Sequence, residues 1–166
     1  MDRDAMKKSD LVRTLVVCFG FVLMMATAAL TADHSAVGTW KLNLQKSSFG
    51  SQPAPKFEQL VVATDAPDAL KWNMKGVTSD GKSYMMSFDG PVDGNAHHMM
   101  SSMGEDNVAY TRTPSGVNWV VKDKDGKIME RASSQLSADG NTLTIIGVSE
   151  DSTGKNKFLA IYNREQ

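Results

Sequence analysis

Large apolar residues alternate with polar ones along most of this chain. Trp40, Leu42 and Leu44 fall on one side of an extended run; so do Leu70, Trp72 and Met74, then Tyr84, Met86 and Phe88, then Val117, Trp119 and Val121. The residues between them are mostly Lys, Asn, Ser and Thr. Successive side chains of a strand point to opposite faces, so the pattern predicts strands with one apolar and one polar face. The runs are 37–44, 58–64, 70–77, 82–89, 96–101, 107–113, 117–122, 127–136, 141–149 and 157–163, about ten in all. Asp80-Gly81, Asp125-Gly126 and Asp139-Gly140 separate runs as tight hairpin turns, and Pro114-Ser115-Gly116 and Ser152-Thr153-Gly154 do similar work. The segment 45–57 carries Ser47, Ser48, Gly50, Ser51, Pro53 and Pro55, which exclude a long helix and predict a loop with at most one helical turn.

Short strands at regular spacing, with no helix between them, predict an all-β fold. The expected architecture is an antiparallel up-and-down β-barrel of about eight to ten strands, with a sandwich as the other arrangement of the same pattern. The final run, Phe158 to Tyr162, is apolar on both faces, so it is expected to be covered on both sides or to close the sheet against the first strand.

With 166 residues, the chain has room for one domain and a leader. Arg3, Lys7, Lys8 and Arg13 precede an uninterrupted apolar or Gly run over 15–25, followed by small residues over 26–32. That order predicts a signal peptide over 1–32, a domain over 33–166, and a periplasmic or extracellular location. The apolar run is shorter than the roughly 20 residues of a spanning helix, so no membrane anchor is expected in the mature form. Cys18, the single cysteine, lies inside that run, which leaves 33–166 without a disulfide, a thiol nucleophile or a zinc-thiolate site. From Asp33 onward, 14 Lys and Arg face 16 Asp and Glu, a net of −2 with no basic stripe, so no nucleic-acid partner is expected.

Gly38-x-Trp40 on the first strand of such a domain resembles the calycins, the group of lipocalins and fatty-acid-binding proteins. The longer string Gly38-Thr39-Trp40-Lys41-Leu42-Asn43, with Lys46-Ser47, Phe49 and Pro53-Ala54-Pro55-Lys56, is similar to the start of a family of small uncharacterised bacterial secreted proteins described as lipocalin-like. The turns Asp80-Gly81-Lys82 and Asp125-Gly126-Lys127 and the ending Ile161-Tyr162 match that family too. In lipocalins the Trp of this motif closes one barrel end beneath a late-strand Arg. The resemblance therefore implies a structural set of Gly38, Trp40 and Arg164, with Arg131 and Arg112 as the other arginines to consider. The chain departs from fatty-acid-binding proteins in two ways. Segment 45–57 is too short and Pro-rich for their two-helix lid, and their carboxylate-binding Arg-x-Tyr has only the reversed Tyr162-Asn163-Arg164 as a counterpart.

Inward aromatic and methionine residues give the leading functional expectation, a small hydrophobic or amphipathic ligand carried inside the barrel. Its candidate lining is Trp72, Met74, Tyr84, Met86, Phe88, Tyr110 and Trp119, with Arg112 as a possible inward cation. The same residues would also suit a filled structural core. His97-His98-Met99-Met100-Ser101-Ser102-Met103 is chemically distinctive, because imidazole and thioether ligands suit copper. If the segment is extended, His97, Met99 and Met103 share a face, and copper handling is the second expectation. No nucleophile elbow, zinc-protease helix, P-loop or dinucleotide fingerprint occurs, Glu130 stands as a lone carboxylate on a predicted strand, and no enzyme or cofactor is expected.

Overall fold

The computed structural model describes residues 35–104, 107–151 and 154–166. The expected signal peptide over 1–32, with Cys18, lies outside the described residues. The described residues contain strands and no helix: β1 (Gly38–Leu42), β2 (Phe57–Asp65), β3 (Ala69–Val77), β4 (Ser83–Pro91), β5 (Ala96–His98), β6 (Met100–Ser101), β7 (Asn107–Thr113), β8 (Gly116–Lys122), β9 (Ile128–Leu136), β10 (Thr142–Asp151) and β11 (Gly154–Arg164). Every run read from the alternation coincides with a strand, except that 96–101 is two short strands broken at Met99.

All pairings are antiparallel, and the sheet order is β5-β7-β8-β9-β10-β11-β1-β2-β3-β4-β6. Two features bend this meander into a nearly closed barrel. The first is the joining of the chain's ends: β1 pairs with β11 through Trp40↔Arg164, Lys41↔Asn163 and Leu42↔Tyr162, as the apolar final run implies. The second is the broken strand, since His97 pairs with Val108 of β7 while Met100 and Ser101 pair with Ser87 and Met86 of β4. Met99, between the two halves, turns into the core and is 2% exposed. The sheet therefore ends only at the short strands β5 and β6, which limits the exposed edge.

The inner face carries Trp40 and Leu42 from β1, Leu60 and Val62 from β2, Trp72 from β3, Phe88 from β4, Tyr110 from β7 and Ile145 from β10 among its buried members. Leu44 lies past the end of β1 and is exposed, so the first strand's inward alternation stops at Leu42. Gly81, Gly126 and Gly140 take positive φ in the hairpin turns where an Asp-Gly pair announces them.

The Gly-x-Trp motif has a local physical cause. The guanidinium of Arg164 lies 4.2 Å from the centre of the Trp40 ring. Its nitrogens donate to the carbonyls of Gly140 at 2.7 Å, Val37 at 2.5 Å and Ser35 at 3.3 Å. A side chain at position 38 would collide with that guanidinium, and Gly38 also has a φ of 145°, so Gly meets both demands. Trp40 is fully buried, and its Nε1 donates to the Ala36 carbonyl at 2.8 Å.

Candidate ligand-binding cavity

The barrel is not filled. A cavity of about 930 Å³ runs through its interior, lined by side chains from both ends and most strands. Seven residues read as its lining from sequence alone are distributed as follows. Trp72, Met74, Tyr84, Met86, Tyr110 and Trp119 line the cavity, while Phe88 is 2% exposed and packs behind them against Tyr110, with ring centres 5.0 Å apart. Tyr110 also meets Trp119 at 6.0 Å and accepts a hydrogen bond of 2.9 Å from Trp72 Nε1. The Trp72–Tyr110 bond ties this aromatic wall together from β3 to β7.

Arg112 also lines the cavity, but its charge is engaged. It pairs with Asp65 at 2.6 Å and donates to the Ala66 carbonyl; the other Asp65 oxygen accepts from the Ala36 amide at 2.7 Å. Its Nε is buried with no hydrogen-bond partner. Arg131 is exposed on the outer face, because the alternation of β9 turns Glu130, Ala132 and Ser134 inward instead.

Two of the carboxylates that line the cavity, Glu58 and Glu130, are bonded to its aromatic side chains. Glu58 stands opposite Gly76, which stands opposite Tyr84, across β2, β3 and β4. Because Gly76 has no side chain, the Tyr84 ring crosses it and donates its hydroxyl to Glu58 Oε2; a Cβ at position 76 would strike that ring. From the other side the Tyr162 hydroxyl donates to Oε1. Burial raises the Glu58 carboxyl above its ordinary pKa of 4.5, and the two tyrosine bonds partly counter that. Tyr84 and Tyr162 are both raised as well, first by burial and then by the charge of Glu58.

Glu130 is the second of these carboxylates. The register of β8 and β9 slips between Val121 and Lys122, and both Met129 and Glu130 line the cavity there. Glu130 Oε1 accepts from Trp119 Nε1 at 2.7 Å, and its charge reaches the hydroxyls of Tyr162 and Tyr110. Glu58, Tyr162 and Asp65 were missed as site residues by the sequence reading. A signal for Glu58 was present, since Glu58-x-Leu60-x-Val62 places it on the inner face by period two.

One end of the cavity is bounded by the connection between β1 and β2. Phe49, Gln52, Pro53 and Pro55 of this connection line the cavity. It is an irregular strap with no helix, fastened to β11 by backbone pairing of Ser48 with Leu159 at 2.8 and 2.7 Å. Asn156, 7% exposed, pins it further: Oδ1 accepts from the Ser51 amide at 2.8 Å and Nδ2 donates to the Phe49 carbonyl at 2.8 Å.

The His/Met segment is arranged differently from the expected three-ligand face. His97 bonds Asp93 at 2.9 Å, Met99 is buried in the core, and Met103 lies past the end of β6 and is half exposed. The expectation of one extended strand is corrected by the break at Met99, which lets the segment bond to β7 and β4 in turn. Among the described residues no group of three His, Cys, Asp or Glu is placed to hold a metal ion.

No protein-family model matches the chain, and no curated protein matches it. Solved structures do. Zebrafish ileal bile acid-binding protein, in complex with cholic acid, matches with a TM-score of 0.52 at 10% identity over 79% of this chain and 100% of its own. Rv2717c from M. tuberculosis matches with a TM-score of 0.50 at 16% identity over 79% of this chain and 93% of its own. At such identities the likeness concerns the fold alone, an antiparallel β-barrel.

Proposed function

We propose that this protein binds a small hydrophobic or amphipathic molecule inside its barrel. The observation that carries this reading is the interior cavity of about 930 Å³, within the range of roughly 300–1,000 Å³ usual for small-molecule sites. Its aromatic and methionine walls supply apolar surface, and a few fixed polar groups supply orientation. A twelve-carbon chain buried there gains roughly 10 kcal/mol at about 0.8 kcal/mol per methylene, less an association cost of at least about 4 kcal/mol. That difference, at most about 6 kcal/mol, corresponds to a Kd of tens of micromolar without any specific polar contact, so tighter binding draws on the polar groups of the cavity.

The bile-acid-binding barrel with the same fold supports this reading by analogy. The charged, apolar and small-residue order of segment 1–32 supports export, so the carrier would work in the periplasm or outside the cell. The string from Gly38 to Asn43 supports a place among the small bacterial secreted proteins it resembles.

A titration with the neutral probe N-phenyl-1-naphthylamine tests the carrier reading. Saturable fluorescence enhancement at one probe per chain is expected, with energy transfer from Trp72 and Trp119, which line the cavity. Replacing Ala160, a small buried wall residue, by Phe fills part of the space and is expected to weaken the probe by about tenfold or more. Absence of saturable binding, or equal binding by a folded A160F variant, would overturn the reading.

A further inference from the structure

The polar groups of the cavity have a sign. Among the described residues, the carboxylates of Glu58, Asp65, Glu130 and Glu150 line it against the single guanidinium of Arg112. Asp65 pairs with Arg112 at 2.6 Å and Glu150 with Lys155 at 3.1 Å. Glu58 is held differently. Its hydrogen bonds come from the hydroxyls of Tyr84 and Tyr162, which are neutral donors, one to each oxygen. A carboxylate oxygen has more than one lone-pair direction, so each remains able to accept from a further donor.

The geometry around this group is built to hold it in place. Gly76 lets the Tyr84 ring pass over β3, and Tyr162 reaches in from β11, so the carboxylate is clamped from two sides of the barrel wall. Glu130 adds a second negative charge that reaches the Tyr162 hydroxyl from β9. Arg112 does not offset Glu58. Asp65, which binds Arg112, lies seven residues along β2 from Glu58, roughly 20 Å at the rise of a strand.

We infer that the ligand class is a cationic amphiphile, an alkyl or aryl amine whose ammonium group bonds Glu58 between Tyr84 and Tyr162 while its apolar body lies against Trp72, Met74 and Trp119. The inference rests on the carrier reading above and names the head group that the same cavity selects. A fatty carboxylate brings a like charge to Glu58 and finds the guanidinium of Arg112 already bonded to Asp65 and the Ala66 carbonyl. An ammonium group supplies a positive charge beside Glu58, whose described hydrogen bonds come from neutral hydroxyls, in a buried setting where a charge pair is strong.

Competition against bound N-phenyl-1-naphthylamine at pH 7 tests the inference with three probes of one chain length, dodecylamine, dodecanol and dodecanoate, each kept monomeric. Dodecylamine is expected to bind at least about tenfold tighter than dodecanoate, and tighter than dodecanol. In a Glu58→Gln variant the amine is expected to lose about tenfold or more and dodecanol much less, since the Gln carbonyl still accepts from a hydroxyl. This wild-type comparison stands without the variant, should E58Q fail to fold. If dodecanol binds and dodecanoate equals or exceeds the amine, the amine assignment is overturned and the carrier reading survives. An E58Q variant that weakens amine and alcohol alike overturns the assignment as well. Failure of all three probes overturns both readings.

Discussion

Glu58 is a buried carboxylate at the head of the apolar inner face of β2, and its titration is therefore visible in stability. Its folded pKa is raised above 4.5, so the folded protein holds this proton more tightly than the unfolded chain does. Stability attributable to Glu58 is full below about pH 4.5 and declines as pH rises through the raised folded value. Asp80 and Asp93, both lowered to about 2, act in a separate window: their contribution is present above 3.8 and is lost as pH falls toward 2. Urea unfolding of the wild type between pH 4.5 and 8 is thus expected to show a falling slope that Glu58→Gln removes. At the alkaline end Tyr84, Tyr110 and Tyr162, each held above 10 mainly by burial, predict a further fall above pH 10. Trp40 behaves in another way. It is fully buried but does not line the cavity, so Trp40→Ala is expected to cost about 3–5 kcal/mol in unfolding while folded molecules keep their affinity for a neutral probe. Trp40 and its arginine were readable because a resemblance drew attention to them. Glu58 was overlooked because a charged residue at the head of an apolar run looks like a strand boundary, although its spacing to Leu60 already placed it inside.

At the scale of elements, the strands were legible because period-two alternation is strong when one face is wet and the other dry. The broken strand of β5 and β6 was not. Its six residues read as one extended run, and only long-range pairing to β7 on one side and β4 on the other reveals the turn at Met99. Met99 closes that seam as a buried side chain, so Met99→Ala is expected to cost about 2–5 kcal/mol in urea unfolding, more than the exposed Met100→Ala. The strap between β1 and β2 was read correctly as a loop, but its role was hidden because its anchor, Asn156, lies more than a hundred residues away. Asn156→Ala removes bonds to both Ser51 and Phe49 and is expected to speed probe release by roughly tenfold in stopped-flow measurements, since a looser cover acts on the dissociation rate.

The whole molecule is a meander whose first and last strands meet, and that closure follows from an apolar final run that needs a partner on each side. Whether such a barrel is filled or hollow was not legible, because the same inward tryptophans, tyrosines and methionines suit either state. The difference lies in the summed volume of side chains against the barrel's girth, a property of no single strand. The hollow interior is the central claim, and a second apolar groove on the outer wall, near Val61, Met85 and Met100, offers a competing place for an apolar probe. The most direct measurement is a crystal structure with 12-bromododecanol, in which bromine is located by its anomalous scattering. The account predicts a bromine peak inside the barrel, among Trp72, Tyr110 and Trp119. A peak confined to the outer groove, with the interior closed by side chains, would contradict it.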